Sequence, residues 1–106
     1  MRKRFMRILV FFDLPVLTVN QRKSYRKFRK FLIKDGYIML QESVYSKLVI
    51  NQTNLDSAIK KLEKSKPDYG IVQFLSITEK QYSSIDYLIG KANHCQIDST
   101  TRLVIL

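Results

Sequence analysis

Of 106 residues, one is cysteine, two are proline, three are glycine, one is histidine and none is tryptophan. Each scarcity excludes something. The single Cys95 rules out an intramolecular disulfide and a cysteine-rich zinc site. Nothing asks for an oxidising compartment, so the cytoplasm is the expected location. With His94 as the only histidine, chemistry that needs two histidines in one subunit is excluded. His94-Cys95 has no second ligand pair, and the histidine reads as a surface residue rather than a metal ligand. There is no glycine-rich phosphate loop, no Ser-His-Asp set and no HExxH. Long hydrophobic runs are missing too. Met1 to Phe12 imitates a signal peptide, but its apolar run, Ile8 to Phe12, is five residues long before Asp13 and Pro15 end it. That is too short for a secretory core and far too short to span a bilayer.

Acid is scarce in one place only. Residues 1–34 hold eleven Lys or Arg and a single acid, Asp13, whereas residues 35–106 hold equal numbers of basic and acidic residues. The whole formal charge of +10 therefore sits on about one strand and one helix. Such a patch fits a polyanion, either nucleic acid or an anionic membrane surface. The membrane is the weaker partner, because the apolar face of that helix is needed for a core and no lipid-anchor motif is present.

The chain reads as a single domain over 1–106. Arg7 to Asp13 fits a central strand buried on both faces. Thr18-x-x-Gln21 is a capping box, opening a helix from about Val19 to Lys34 that stops at Gly36. On it, Tyr25, Phe28, Phe31 and Leu32 share one arc, while Arg22, Lys23, Arg26, Lys27, Arg29, Lys30 and Lys34 share the other. Strands follow at about Tyr37–Gln41 and Val44–Ile50, split near Glu42-Ser43. A second helix is read as capped by Thr53, with Leu55, Ala58, Ile59 and Leu62 at helical spacing. Ile71 to Thr78 is a fourth strand, Glu79 to Ile89 a helical turn with a short strand around Tyr87–Ile89, and 102–106 a terminal strand. The order βαββαβ is that of an α+β, ferredoxin-like fold: an antiparallel sheet with both helices on one face. The other face then lacks cover, which points to a homodimer.

Asp13 has two readings. It is a Mg²⁺ ligand beside bound phosphates, doubled by a two-fold axis, or an aspartate that ends a strand and accepts loop N–H groups. The cationic helix face suggests sequence-independent phosphate contacts by Arg22, Lys23, Arg26, Lys27, Arg29 and Lys30, since no motif reads bases. Gln41 to Tyr45 either hydrogen-bonds near the end of the first strand or is a polar junction.

Several segments together resemble the small CRISPR-associated adaptation protein family, Cas2. They are Met6-Arg7-Ile8-Leu9-Val10-Phe11-Phe12-Asp13-Leu14-Pro15, the helix Arg22 to Leu32 ending at Gly36, Gln41-Glu42-Ser43-Val44-Tyr45-Ser46-Lys47-Leu48, and Thr78-Glu79-Lys80-Gln81-Tyr82. The last two look like the type II-A branch. The resemblance implies a homodimer whose terminal strand, here 102–106, packs on the partner's sheet. It implies Mg²⁺ held by Asp13 from each subunit and metal-dependent endonuclease activity on RNA or double-stranded DNA. It also implies a scaffold that bridges two dimers of the Cas1 integrase and carries captured DNA during spacer acquisition in antiviral defence. No side chain stands out as a general base, so the ion would have to activate water. The alternative is a purely structural, non-catalytic nucleic-acid-binding dimer.

Overall fold

The computed structural model describes residues 5–91. Its elements run β1 (Met6–Asp13), α1 (Val19–Lys34), β2 (Ile38–Gln41), β3 (Val44–Val49), α2 (Gln52–Ser65), β4 (Ile71–Thr78) and α3 (Glu79–Ser83). The strands form one sheet in the order β2-β3-β1-β4, with every neighbouring pair antiparallel. This is the ferredoxin-like arrangement expected from the element order.

The apolar run of β1 makes it an inner strand, and strand alternation splits its side chains between two faces. Ile8, Val10 and Phe12 meet Phe28 and Leu32 of α1 and Leu55, Ala58 and Leu62 of α2 in one buried cluster. Phe12 is the hinge of that cluster. Its ring lies edge-on to Phe28 at 5.5 Å and stacks on Tyr45 at 5.7 Å. Leu9 and Phe11 point the other way, onto the sheet face that neither α1 nor α2 covers.

Both helix starts are fixed by side chains that take up orphan N–H groups. Thr18 and Gln21 form the capping box of α1. The cap of α2 is Asn51, whose Oδ1 accepts the Asn54 N–H at 2.8 Å, and not Thr53, which lies within the first turn. Asparagine outcompetes threonine here because the extended backbone at residue 51 aims a short side chain at the third residue on. At the other end of α1, Gly36 adopts φ +95°, and the Tyr37 N–H returns to the Leu32 carbonyl.

The short strand expected around Tyr87–Ile89 is not formed. Those residues pair with no described strand, and Leu88 and Ile89 stand fully or almost fully exposed. The terminal strand 102–106 and the His94-Cys95 pair lie outside the described residues.

The register defines the uncovered face. Arg7, Leu9, Phe11 and Asp13 share it with Ile38, Leu48, Ile71, Leu75 and Ile77. Ile38, Leu48, Ile71 and Leu75 are each more than two-fifths exposed, so the face is apolar and open to solvent in the single chain.

Candidate metal centre and nucleic-acid interface

Asp13 is the last residue of β1, opposite Ile71 of β4. Its side chain is exposed and belongs to the uncovered face, because it shares parity with Leu9 and Phe11. No hydrogen bond or ion pair among the described residues engages its carboxylate, so the loop-capping reading lacks its donors. Two backbone contacts hold the strand end. The Phe12 N–H donates to the Ser43 carbonyl at 3.1 Å, which is how the Gln41–Tyr45 segment meets β1. On the other side Gly70, at φ +86°, passes so close that a Cβ there would sit 2.5 Å from the Asp13 carbonyl oxygen.

Among the described residues no three His, Cys, Asp or Glu side chains gather into a metal cluster. The donor that one chain presents at the end of β1 is the hard carboxylate oxygen of Asp13. Such a donor suits Mg²⁺, which takes one or two carboxylates and completes its shell with water and phosphate oxygens, and does not suit zinc.

The six cations expected on α1 (Arg22, Lys23, Arg26, Lys27, Arg29 and Lys30) are all exposed. Helix α1 packs on the face of the sheet opposite to the one Asp13 occupies, so the lone acid does not lie among these cations. Strand alternation decides this: Phe12 turns toward α1, and the next residue must turn away.

The helix also separates its cations by type. At about 100° per residue, Arg22, Arg26 and Arg29 fall on one flank and Lys23, Lys27, Lys30 and Lys34 on another. The arginine flank is partly committed to the fold. Arg22 Nη1 donates to the carbonyls of Val16 and Leu17, each at 3.1 Å. Arg29 Nε donates to the hydroxyl of buried Tyr45, also at 3.1 Å. Arg26 and Arg29 line a small hollow with Tyr25, Met39 and Glu42. The lysines on the other flank make no ion pair among the described residues.

Three arrangements are not visible in the sequence, the first two because their partners lie 12 to 72 positions apart in the chain. Arg7 holds Glu79 through two bonds, of 2.9 and 3.2 Å, and its guanidinium lies 4.3 Å over the Tyr82 ring. Asp35, just past α1, takes Lys47 at 3.0 Å and Lys61 at 3.3 Å. Tyr37 is buried with its hydroxyl unpartnered among the described residues. Burial first, and the nearby Asp35 carboxylate second, push its phenol well above the ordinary tyrosine range.

Comparison with known proteins follows the same outline. A family model described as CRISPR associated protein Cas2 matches residues 6–85, the span from β1 to just past α3. A protein of Treponema denticola is 52% identical over 101 residues, covering 95% of this chain and the whole of the relative. One of Ligilactobacillus salivarius is 45% identical over 101 residues, again 95% of this chain and all of the relative. One of Streptococcus mutans is 44% identical over 95% of this chain and 93% of its own length. All three carry the name CRISPR-associated endoribonuclease Cas2. With the fold and the likeness over 95% of the chain in agreement, the chain belongs to the CRISPR-associated Cas2 family.

Proposed function

We propose that this protein is a Mg²⁺-dependent endonuclease that hydrolyses phosphodiesters of RNA or DNA. We further propose that it works in the cytoplasm as a homodimer, a DNA-binding scaffold between Cas1 integrase dimers during spacer acquisition. The observation that carries the catalytic part is the Asp13 carboxylate: exposed, unpartnered among the described residues, and seated on the apolar face that a second copy would cover. The names of the relatives support a nuclease acting on RNA.

A dimer closed through that face, with its two-fold axis passing near the end of β1, would bring together two Asp13 carboxylates, one per chain. The two Asp13 side chains would hold the ion. When bound, Mg²⁺ supplies positive charge to a phosphate oxygen and lowers the pKa of a coordinated water. The remaining work belongs to the chain. The β1–β4 register and the Gly70 contact fix where Asp13 stands. The apolar neighbours Phe11 and Ile71 would exclude water around it once a partner covers them. The α1 cations attract the polyanion from the other side of the sheet.

Asp13→Asn should abolish Mg²⁺-dependent cleavage of a labelled oligonucleotide while leaving its binding intact. Undiminished cleavage by the purified variant would remove Asp13 from the mechanism. A second reading, a scaffold that positions DNA without cutting it, is favoured by the absence of any cluster of three His, Cys, Asp or Glu side chains among the described residues of one chain. Spacer acquisition retained in an Asp13→Ala strain supports the scaffold as the cellular role, and its loss supports cleavage.

A further inference from the structure

We infer that the cleft between α1 and the α2–β4 connection is a binding channel for a single-stranded polynucleotide segment, distinct from the Asp13 centre and from the arginine flank of α1. The inference rests on the reading of this protein as a nucleic-acid binder. It assigns to that function residues which lie in the electrically neutral part of the sequence.

The cleft holds about 500 Å³. One wall is Lys23 and Lys27 of α1, and the other is Lys64 and Lys66 at the end of α2, with Tyr69 beside them. The floor is Phe28 and Phe31, whose rings stack at 6.3 Å. The Asp68 N–H donates to Ser24 Oγ at 3.2 Å and ties the two walls together at one end. Asp68 is the one acid of the lining, against four lysines.

Three features select the occupant. The four ammonium groups make no ion pair among the described residues, so all four are free to meet an anion from outside. Lys23 and Lys27 are one turn apart, about 6 Å along the axis, a spacing that lets each meet a different phosphate of one strand. The aromatic lining is what sets a nucleotide apart from a plain anion. Tyr69 is two-fifths exposed, and with Phe31 it offers a base a stacking surface that an acidic peptide would not use. Size excludes the duplex. A volume suited to about one drug-sized group takes one or two nucleotides, and a double helix can at most lay one strand across the rim.

The test is fluorescence anisotropy with labelled oligo-dT and oligo-U and a matched duplex, titrated at several salt concentrations. The paired variant Lys64→Gln with Lys66→Gln should weaken single-strand binding several-fold and flatten its salt dependence by roughly 0.7 for each phosphate no longer neutralised. Tyr69→Ala should weaken single-strand binding by about fivefold or more with the salt slope unchanged, as expected when stacking is removed. Duplex affinity should change less in both. All four named lysines are exposed, so unchanged thermal melts will show that the fold is intact. If Arg26→Gln with Lys30→Gln weakens binding while the cleft variants bind and titrate like the parent, the channel is refuted and the α1 surface stands. Failure of the parent to bind any polynucleotide refutes both. Equal competition by poly-glutamate, with no effect of Tyr69→Ala, would assign the cleft to an acidic protein and overturn the proposal.

Discussion

Tyr37 shows how one buried atom couples this fold to pH. Its hydroxyl has no partner among the described residues, and its pKa is raised by burial and by Asp35. A phenol whose folded pKa lies above its unfolded value stabilises the fold fully below the unfolded value, about 10, and loses that contribution as pH climbs from there. Tyr37→Phe should therefore flatten the alkaline loss of stability in chemical denaturation. At neutral pH it should be neutral or stabilising by about 1 kcal/mol, since it removes an unsatisfied buried hydroxyl. A clear destabilisation at neutral pH would show that the hydroxyl is bonded after all.

At the scale of elements, the join between β4 and the end of β1 matters most. Gly70 is needed twice, for its positive φ and for its approach to the Asp13 carbonyl. Gly70→Ala should cost about 1–3 kcal/mol, read in thermal melts. Because the clash falls on the Asp13 backbone, it should also raise the Mg²⁺ concentration needed for half-maximal cleavage. A melt matching the parent would mean that the turn moves freely away from β1. The small α3 is held differently, by its Thr78–Gln81 capping box and by Arg7 gripping Glu79. The Glu79 side chain keeps 44% of its surface exposed, so Glu79→Gln should cost less than about 1 kcal/mol globally. The same change should speed hydrogen exchange in α3 while leaving β1 protected.

For the whole molecule, the two faces of one sheet carry different side chains. The helix-bearing side displays the cations, and the other side displays Asp13 among exposed Ile38, Leu48, Ile71 and Leu75. A mutation at an exposed apolar position leaves a single chain nearly unperturbed but becomes costly if a partner buries it. Leu75→Lys should accordingly keep the far-ultraviolet spectrum and shift the sedimentation coefficient toward the monomer. A parent-like sedimentation profile would place the dimer interface elsewhere.

The fold was legible in the sequence wherever a local rule applied. The capping box at Thr18, the stop at Gly36, the aromatic arc of α1 and the apolar run of β1 each depend on residues a few positions apart, and their order specifies the ferredoxin-like sheet. Asp13 was legible as the lone acid of a basic segment, and the likeness to Cas2 lent it a proposed role. Long-range matters were not legible. The face of the sheet on which Asp13 stands, the pairing of Arg7 with Glu79 across 72 positions, and the meeting of Lys64 and Lys66 with the lysine flank of α1 depend on register and crossover. Counting charge along the chain assigned the basic function to residues 1–34. Folding put two lysines of the neutral remainder opposite that helix and moved its only acid to the far side. The sequence by itself determined the sign of the charge and the elements that bear it. Tertiary structure alone decided which charges share a surface, because a single peptide unit turns a strand side chain from one face to the other.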